Sequence, residues 1–527
     1  MPPYGATRIR LAVVVSAFAV SIGASAAGKW DYKPSPAERE TLAAITPASL
    51  QAHLSFLSAD PLEGRGGGSS GLDVAAEYIA AQFRRAGLKP AGDDGFFQTT
   101  PRTRLTPTVE GYRCRLTTEG QDVDVPSRQF ALLTSPGGNA SAVRDIRIDD
   151  APVIKVPFGG QFPEGMADAG GAVIITEFPA VPSDPAARSE FLSDRRDFIN
   201  RINAFKPALV VEIRRDPGRA IDYFSSRQLV DPRQKGRDTT GPPVVSLFGG
   251  SAAAAFDALS TGPTPARFTV RLSPPVETDA PQRNVIGLLP GSDPKLADTY
   301  VLVTAHYDGQ GARPGPDRVW NSANDNGSGT VSVIEIAAAL ASLKERPRRS
   351  LVFIAFHGEE SGLVGARFYA EHPAFPLEKT VAGVNIEMVG RTDDTEGDQR
   401  KRASVTGFDY SDVGEVLRRA GEQTGVTVFK HQKNSDPYFG ASDNAAIASL
   451  GVPAHTVCVT FQYPDYHGPD DTWQKVDYEN MALTIRMIGT GLLILAGSED
   501  EPRWDPAVTR ANRYLEAWKK LHGTEKR

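Results

Sequence analysis

Apolar runs that end abruptly on polar clusters set the pattern of this chain. Tyr300-Val301-Leu302-Val303-Thr304-Ala305 runs into His306-Tyr307-Asp308, and Leu351-Val352-Phe353-Ile354-Ala355-Phe356 runs into His357-Gly358-Glu359-Glu360. A third run, over 381–387, carries Asn385-Ile386-Glu387-Met388 at its end. Each has the length and apolar continuity of a buried strand. Between the first two, Ser322-Ala323-Asn324-Asp325-Asn326-Gly327-Ser328-Gly329 opens a helix predicted over 330–344, whose Ile334, Ile336, Ala337, Leu340 and Ala341 suit packing on a sheet. Further strands are predicted at 284–289, 403–406 and 454–460. This alternation predicts an α/β fold with a central twisted, mixed β-sheet covered by helices. Polar clusters at strand ends then belong at the carboxyl edge, where loops converge on a crevice.

Upstream, residues 35–57 read as helical, started by Ser35-Pro36-Ala37-Glu38 and spaced by Leu42, Ile45, Leu50, Leu54 and Leu57. The glycine-dense stretch from Ser58 to Gly71 lacks the strand and Lys-Ser/Thr of a phosphate loop, and a flexible connector is expected. Residues 72–86 predict a second helix, with Ala75, Tyr78, Ile79 and Phe83 on one face and Gly87 as C-cap. From 106 to 267 short β-rich runs alternate with Pro/Gly/Asp segments, the texture of an inserted β-rich domain with little helix. The charged stretch 189–201 within it is expected to be a solvated helix. The α/β domain is therefore assigned to 27–105 and 268–500, the insertion to 106–267, and a helical tail to 501–527, with Leu515, Trp518 and Leu521 at helical spacing.

A chain of 527 residues exceeds what one core usually supports, in keeping with two domains. The 40% hydrophobic and 23% charged content is that of a globular protein, and a net charge of −6 gives no reason to expect nucleic acid or an anionic membrane as partner. Arg8 and Arg10, the uncharged run from Leu11 to Ala24, and Ala24-Ser25-Ala26 fit a secretory signal peptide over 1–26. The run is too short for a stable membrane anchor. Its removal takes the formal charge from −6 to −8 and predicts an exported protein, periplasmic or secreted. Two cysteines, Cys114 and Cys458, make neither a disulfide scaffold nor a thiolate-rich zinc site.

The chemistry lies in the polar clusters. A hydrolytic metal centre needs imidazole and carboxylate ligands plus a separate base for the attacking water. His306 stands at a strand end, with Asp308 two residues on to orient its ring. Asp325 has two oxygens, enough to bridge cations about 3.5–4 Å apart; it and Asn324 also suit a helix cap. Adjacent Glu359 and Glu360 repel each other at the end of an apolar strand unless positive charge lies beside them. One can bind metal while the other serves as base.

In this order, His306-x-Asp308, Asn324-Asp325-Asn326, Gly358-Glu359-Glu360-Ser361-Gly362-Leu363-x-Gly365, Asn385-Ile386-Glu387-Met388-Val389-Gly390-Arg391 and Tyr466-His467-x-x-Asp470-Asp471-Thr472 resemble peptidase family M28, the co-catalytic zinc aminopeptidases. The resemblance extends to Leu62-Glu63-Gly64-Arg65, and the insertion resembles a protease-associated domain. It implies a zinc exopeptidase fold with two zinc ions, one held by His306 and Glu387 and the other by Glu360 and His467, bridged by Asp325. It also implies Glu359 as general base, Asp308 behind His306, Tyr466 at the oxyanion, a cis Asp325–Asn326 peptide and a peptide substrate. Three positions depart from the family pattern: Glu387 stands where aspartate is usual, Gly309 where His-Tyr-Asp-His is common, and Asn444 where Ser-Asp-His is common. The first bears on the second metal, the others on local substrate contacts. Carboxypeptidase or glutaminyl cyclase chemistry, or a non-catalytic receptor-like role, are the alternatives; the complete ligand set argues against the last two.

Overall fold

The computed structural model describes residues 30–523, except 133–144, 164–165, 167–168, 178, 180–181, 183–184, 216–222, 226–227, 235–241 and 313–318. The expected signal peptide at 1–26 lies outside the described residues. Tyr300–His306, Ser350–Phe356 and Thr380–Ile386 are buried along their whole length, as continuous apolar strands must be when helices cover both faces of a sheet. The main sheet has nine strands, in the order Lys89–Pro90, Gln282–Leu289, Ser350–Phe356, Tyr300–His306, Thr380–Ile386, Ala454–Cys458, Arg402–Val405, Thr427–Phe429, with Phe97–Thr100 also on Gln282–Leu289. Ser350–Phe356, Tyr300–His306, Thr380–Ile386 and Ala454–Cys458 are mutually parallel, so they end at one edge. Gln282–Leu289 and Arg402–Val405 flank them antiparallel, which makes the sheet mixed.

Alternate side chains of these strands serve two cores, because successive residues point to opposite faces. Val301, Val303, Leu351, Phe353 and Val384 pack with helices Pro36–Ala43, Pro47–Leu57, Ser70–Ala86, Gly329–Ala341 and Tyr478–Gly497. Leu302, Val352, Ile354 and Phe356 pack with Val364–Glu371, Asn444–Ala448 and the closing helix Asn512–Leu521. Tyr478–Gly497 is the one helix among the described residues long and apolar enough to cross a membrane; 83% of its apolar window is buried inside the fold.

Three expectations are corrected. Residues 35–57 form two helices, Pro36–Ala43 and Pro47–Leu57, because Thr46 caps the second and Pro47 starts it. The glycine-dense stretch is not a flexible connector: Asp60–Arg65 forms a tight turn with Leu62, Gly64 and Arg65 buried, and the next helix starts at Ser70. A Cβ at Gly71 would lie 1.8 Å from the Leu62 carbonyl oxygen, so that glycine serves close approach. Between 113 and 272 lies a second, eight-stranded sheet, Asp122–Asp124, Arg113–Thr117, Gly262–Leu272, Ile146–Lys155, Val173–Glu177, Leu209–Arg214, Val244–Phe248, Phe130–Leu132. The helix expected at 189–201 is present as Pro185–Asn203, with Phe198 and Ile202 buried against the sheet, and Gly250–Ala258 adds helix that was not expected. Thr103–Thr106 and Val276–Asp279, the segments leading in and out, pair with each other, and Gln228–Val230 from within the insertion joins them. Cys114 and Cys458 are both free and buried.

His455, in the main sheet, is fully buried, with Nε2 2.6 Å from Ser411 Oγ and Nδ1 2.8 Å from the Thr406 carbonyl oxygen. Burial holds its imidazole down at about 4. In the unfolded chain it titrates near ~6.5, so as pH falls the unfolded state takes up the proton first. This contribution to stability is intact above about pH 6.5 and is lost toward pH 4, to the extent of roughly 3 kcal/mol. Thermal unfolding followed across this range should show a fall that is shallower in His455→Gln; parallel slopes would assign the acid sensitivity to other groups.

Candidate metal centre

The parallel strand ends bring the polar clusters together. His306 Nε2 lies 3.2 Å from Glu387 Oε1, 3.5 Å from Asp325 Oδ1 and 4.0 Å from Glu359 Oε2. On the other side, His467 Nε2 lies 2.9 Å from Asp325 Oδ2 and 3.5 Å from Glu360 Oε2. Asp325 thus offers one oxygen to each histidine. Two groups result, His306–Asp325–Glu387 and Asp325–Glu360–His467, and within each the ligand atoms lie within 4.8 Å of one another. Glu359 and Glu360 turn to opposite sides, Glu359 toward His306 and Glu360 toward His467. The extra methylene of Glu387 does not withdraw it from the cluster. Tyr466 stacks on His467, with ring centroids 3.9 Å apart.

The side chains around the cluster grip the backbone beside its members. The Asp308 carboxylate accepts from Glu359 N at 3.0 Å and Glu360 N at 3.3 Å. His306 Nδ1 meets the Asp308 carbonyl oxygen at 3.2 Å and its carboxylate at 3.5 Å, so Asp308 serves the glutamate pair at least as directly as it serves the histidine. Asp471, to which sequence reasoning gave no role although it stood in a quoted motif, accepts from Asn324 N, Asp325 N and Tyr463 OH at 3.0–3.1 Å. Asn326 Oδ1 accepts from Gly329 N at 2.9 Å and Met388 N at 3.3 Å, tying the Asp325 turn to the residue after Glu387. Buried Arg391 donates to Asp465 at 2.8 Å and anchors the Tyr466–His467 loop. The Asp325–Asn326 peptide bond is cis, and Ser322, Met388 and His467 have φ of 49°, 49° and 50°, a left-handed conformation rare for such residues and concentrated at functional sites.

Two departures that put substrate contacts in question prove to be matters of packing. A Cβ at Gly309 would lie 2.6 Å from Ser322 Cβ and 2.8 Å from the Gly64 carbonyl oxygen, so no side chain fits there. Asn444 is buried and bonded to the carbonyls of Phe439 at 3.0 Å and Ala454 at 3.3 Å and to Thr456 Oγ1 at 2.8 Å.

Burial above all, then Glu387, Asp443 and Glu360, hold the Glu359 carboxyl well above the ordinary range against the pull of His306. Burial and Asp325 push Glu360 up to about 8. His306 is buried, which opposes its protonation, yet Glu359, Asp308, Asp325 and Glu387 raise it well above its usual value. Asp325, although buried, is held far below the usual range by the two histidines. Glu360 Oε1 and both oxygens of Asp443 are buried without a hydrogen-bond partner. Imidazoles and crowded carboxylates, some with orphaned oxygens and none accompanied by a thiolate, fit a borderline divalent cation such as zinc.

The open, helix-covered mixed sheet thus carries at its carboxyl edge two histidine–carboxylate groups, each with the donors of a divalent-metal site. Residues 284–490 match peptidase family M28. Aminopeptidase YwaD of Bacillus subtilis is 27% identical over 234 residues, 43% of this chain and 47% of the relative. A probable leucine aminopeptidase of Arthroderma benhamiae is 26% identical over 233 residues, 40% of this chain and 57% of the relative. The matches thus span about half the length of these curated relatives. The fold is shared with an aminopeptidase from Aneurinibacillus sp. strain AM-1, with a TM-score of 0.57 and 18% identity over 89% of this chain and 100% of that one. It is shared also with BSAP, a zinc aminopeptidase from Bacillus subtilis, with a TM-score of 0.52 and 20% identity over 85% and 94%.

The grip of Asp471 can be measured. Asp471→Ala strands two buried amides and a tyrosine hydroxyl, each costing about 1–3 kcal/mol. We expect lowered thermal stability and lost metal uptake, by calorimetry and metal analysis; wild-type values for both would show that the Asp325 turn holds itself.

Proposed function

We propose that the protein is a zinc-dependent metallo-aminopeptidase that hydrolyses the N-terminal peptide bond of peptides. The observation that carries this reading is the pair of candidate ligand groups sharing Asp325, in a chain whose residues 284–490 match family M28. His306 and Glu387 would hold one zinc, Glu360 and His467 the other, with Asp325 between them. Bound there, zinc polarises the scissile carbonyl and acidifies water. Glu359, in neither ligand group, takes the proton of the attacking water as general base and delivers it to the leaving amine, so the proton count closes. Burial and the neighbouring carboxylates raise its affinity for protons, the direction in which buried acid–base groups are tuned. Tyr466, whose hydroxyl burial keeps neutral, donates to the oxyanion of the tetrahedral intermediate. Glu359 and Glu387 are the acceptors nearest for the substrate's free amino group.

The insertion is read as a protease-associated domain, on its position and its separate sheet. Export to a periplasm or the exterior is read from Arg8, Arg10 and the apolar run after them.

Zinc quantitation with a panel of amino-acid p-nitroanilides, on wild type and Glu359→Gln, tests the chemistry. About two zinc per chain are expected in both, with turnover falling at least 100-fold in the variant. Full turnover by Glu359→Gln would remove the base assignment, and a wild type without zinc would remove the centre. N-terminal sequencing of exported protein should begin near Ala27, and an intact Met1 would contradict export.

A further inference from the structure

Arg65 is only 1% exposed, and among the described residues its guanidinium touches no carboxylate. A buried cation normally has an anionic partner. Here every acceptor among the described residues is a main-chain carbonyl, and the acceptors come from three separate segments. Nε donates to Tyr307 O at 2.8 Å, between His306 and Asp308. Nη1 donates to Asn321 O at 2.9 Å and to Leu57 O, and Nη2 to Ser322 O at 2.7 Å, just before the Asp325 turn.

The backbone is bent to deliver this side chain. Glu63, Gly64 and Arg65 have φ of 52°, 61° and 50° in succession. A left-handed conformation costs a non-glycine residue about 1–2 kcal/mol, so two such residues persist only where the surroundings hold them. A Cβ at Gly64 would stand 2.3 Å from the Trp320 carbonyl oxygen, and Gly309 N donates to Arg65 O at 3.2 Å. The turn and the strand end carrying His306 therefore hold each other. Burial lowers the guanidinium to about 10 against the attraction of Asp308, Asp471, Asp325 and Glu360, so it remains charged at neutral pH behind the carboxylate cluster.

We propose that Arg65 is a positioning residue of the centre: by gripping these carbonyls it fixes the spacing between the strand end that carries His306 and the turn that carries Asp325, and so sets how tightly the site holds zinc. This rests on reading the centre as a zinc site. A planar fork with five donors can span three segments, whereas the ammonium of lysine keeps the charge but places its donors at one point.

The test uses the full chain as wild type, Arg65→Lys and Arg65→Met, each stripped of metal, checked for folding by circular dichroism, and titrated with zinc against a chromogenic chelator. Both variants are expected to bind zinc 10- to 100-fold more weakly, the range for loss of a group that orients ligands, with kcat falling further than KM rises. A merely structural arginine would lower stability and leave the zinc affinity of the folded variant unchanged, and that result overturns the proposal. A wild type that binds no zinc would instead sink the metallopeptidase reading. Should both variants fail to fold, Gly66→Ala serves, because its Cβ would stand 2.7 Å from Gly311 Cα and back the turn out of its seat with the guanidinium intact. It too should weaken zinc binding, and wild-type affinity there would count equally against Arg65.

Discussion

The constraint on which the site depends is like charge gathered at one sheet edge. Asp308, Asp325, Glu359, Glu360, Glu387, Asp443 and Asp471 all lie within or beside the crevice, buried or nearly so. Carboxylates in a low dielectric repel strongly. The two histidines offset part of this, and Asp325 takes most of that benefit because each of its oxygens faces one of them. Glu359, Glu360 and Asp443 are left with raised affinity for protons. The fold stores a demand for positive charge at the place where parallel strands end.

The elements stay in place under that repulsion because the restraints act on the backbone. Asp308 holds the amides of Glu359 and Glu360, Asp471 those of Asn324 and Asp325, and Asn326 that of Met388. None of these bonds uses a carboxylate oxygen of Asp325, Glu360 or Glu387 or a ring nitrogen of His306 or His467. The carboxylates of Asp325, Glu360 and Glu387 thus remain directed at the histidines and at one another. Had the same groups bonded to those carboxylate oxygens, the site would be rigid but occupied by its own scaffold.

Much of this was legible in sequence, and the boundary is physical. Apolar runs of strand length closing on His306, Glu359–Glu360 and Glu387 located the central strands and their ends, because a strand buried on both faces admits polar residues only where it leaves the sheet. The break at Thr46–Pro47 carried a local capping signal that uniform apolar spacing from Leu42 to Leu57 obscured. Arg65 was not legible: its acceptors are backbone carbonyls 8 to 257 residues away, which any sequence could supply. The glycines beside it read as flexibility, although Gly64 and Gly71 are there because neighbouring carbonyls leave no room for a Cβ. Asp443 was hidden for the opposite reason, having no partner to imply it.

The same glycine turn joins the second sheet to the site. Arg104, in the three-stranded ladder at the base of the insertion, donates to Gly68 O at 2.5 Å. A Cβ at Gly67 would lie 3.5 Å from Leu229, on the strand that the insertion adds to that ladder, and 3.8 Å from Ser361 Oγ, beside Glu360. Arg233, just past that strand, meets Glu371 at the end of Val364–Glu371, the helix following the glutamate pair. The turn therefore meets both the ladder and the strand end that carries His306. One piece of backbone thus lies in contact with both the seat of the insertion and the sheet edge that carries the centre, within packing that transmits displacement rather than absorbing it.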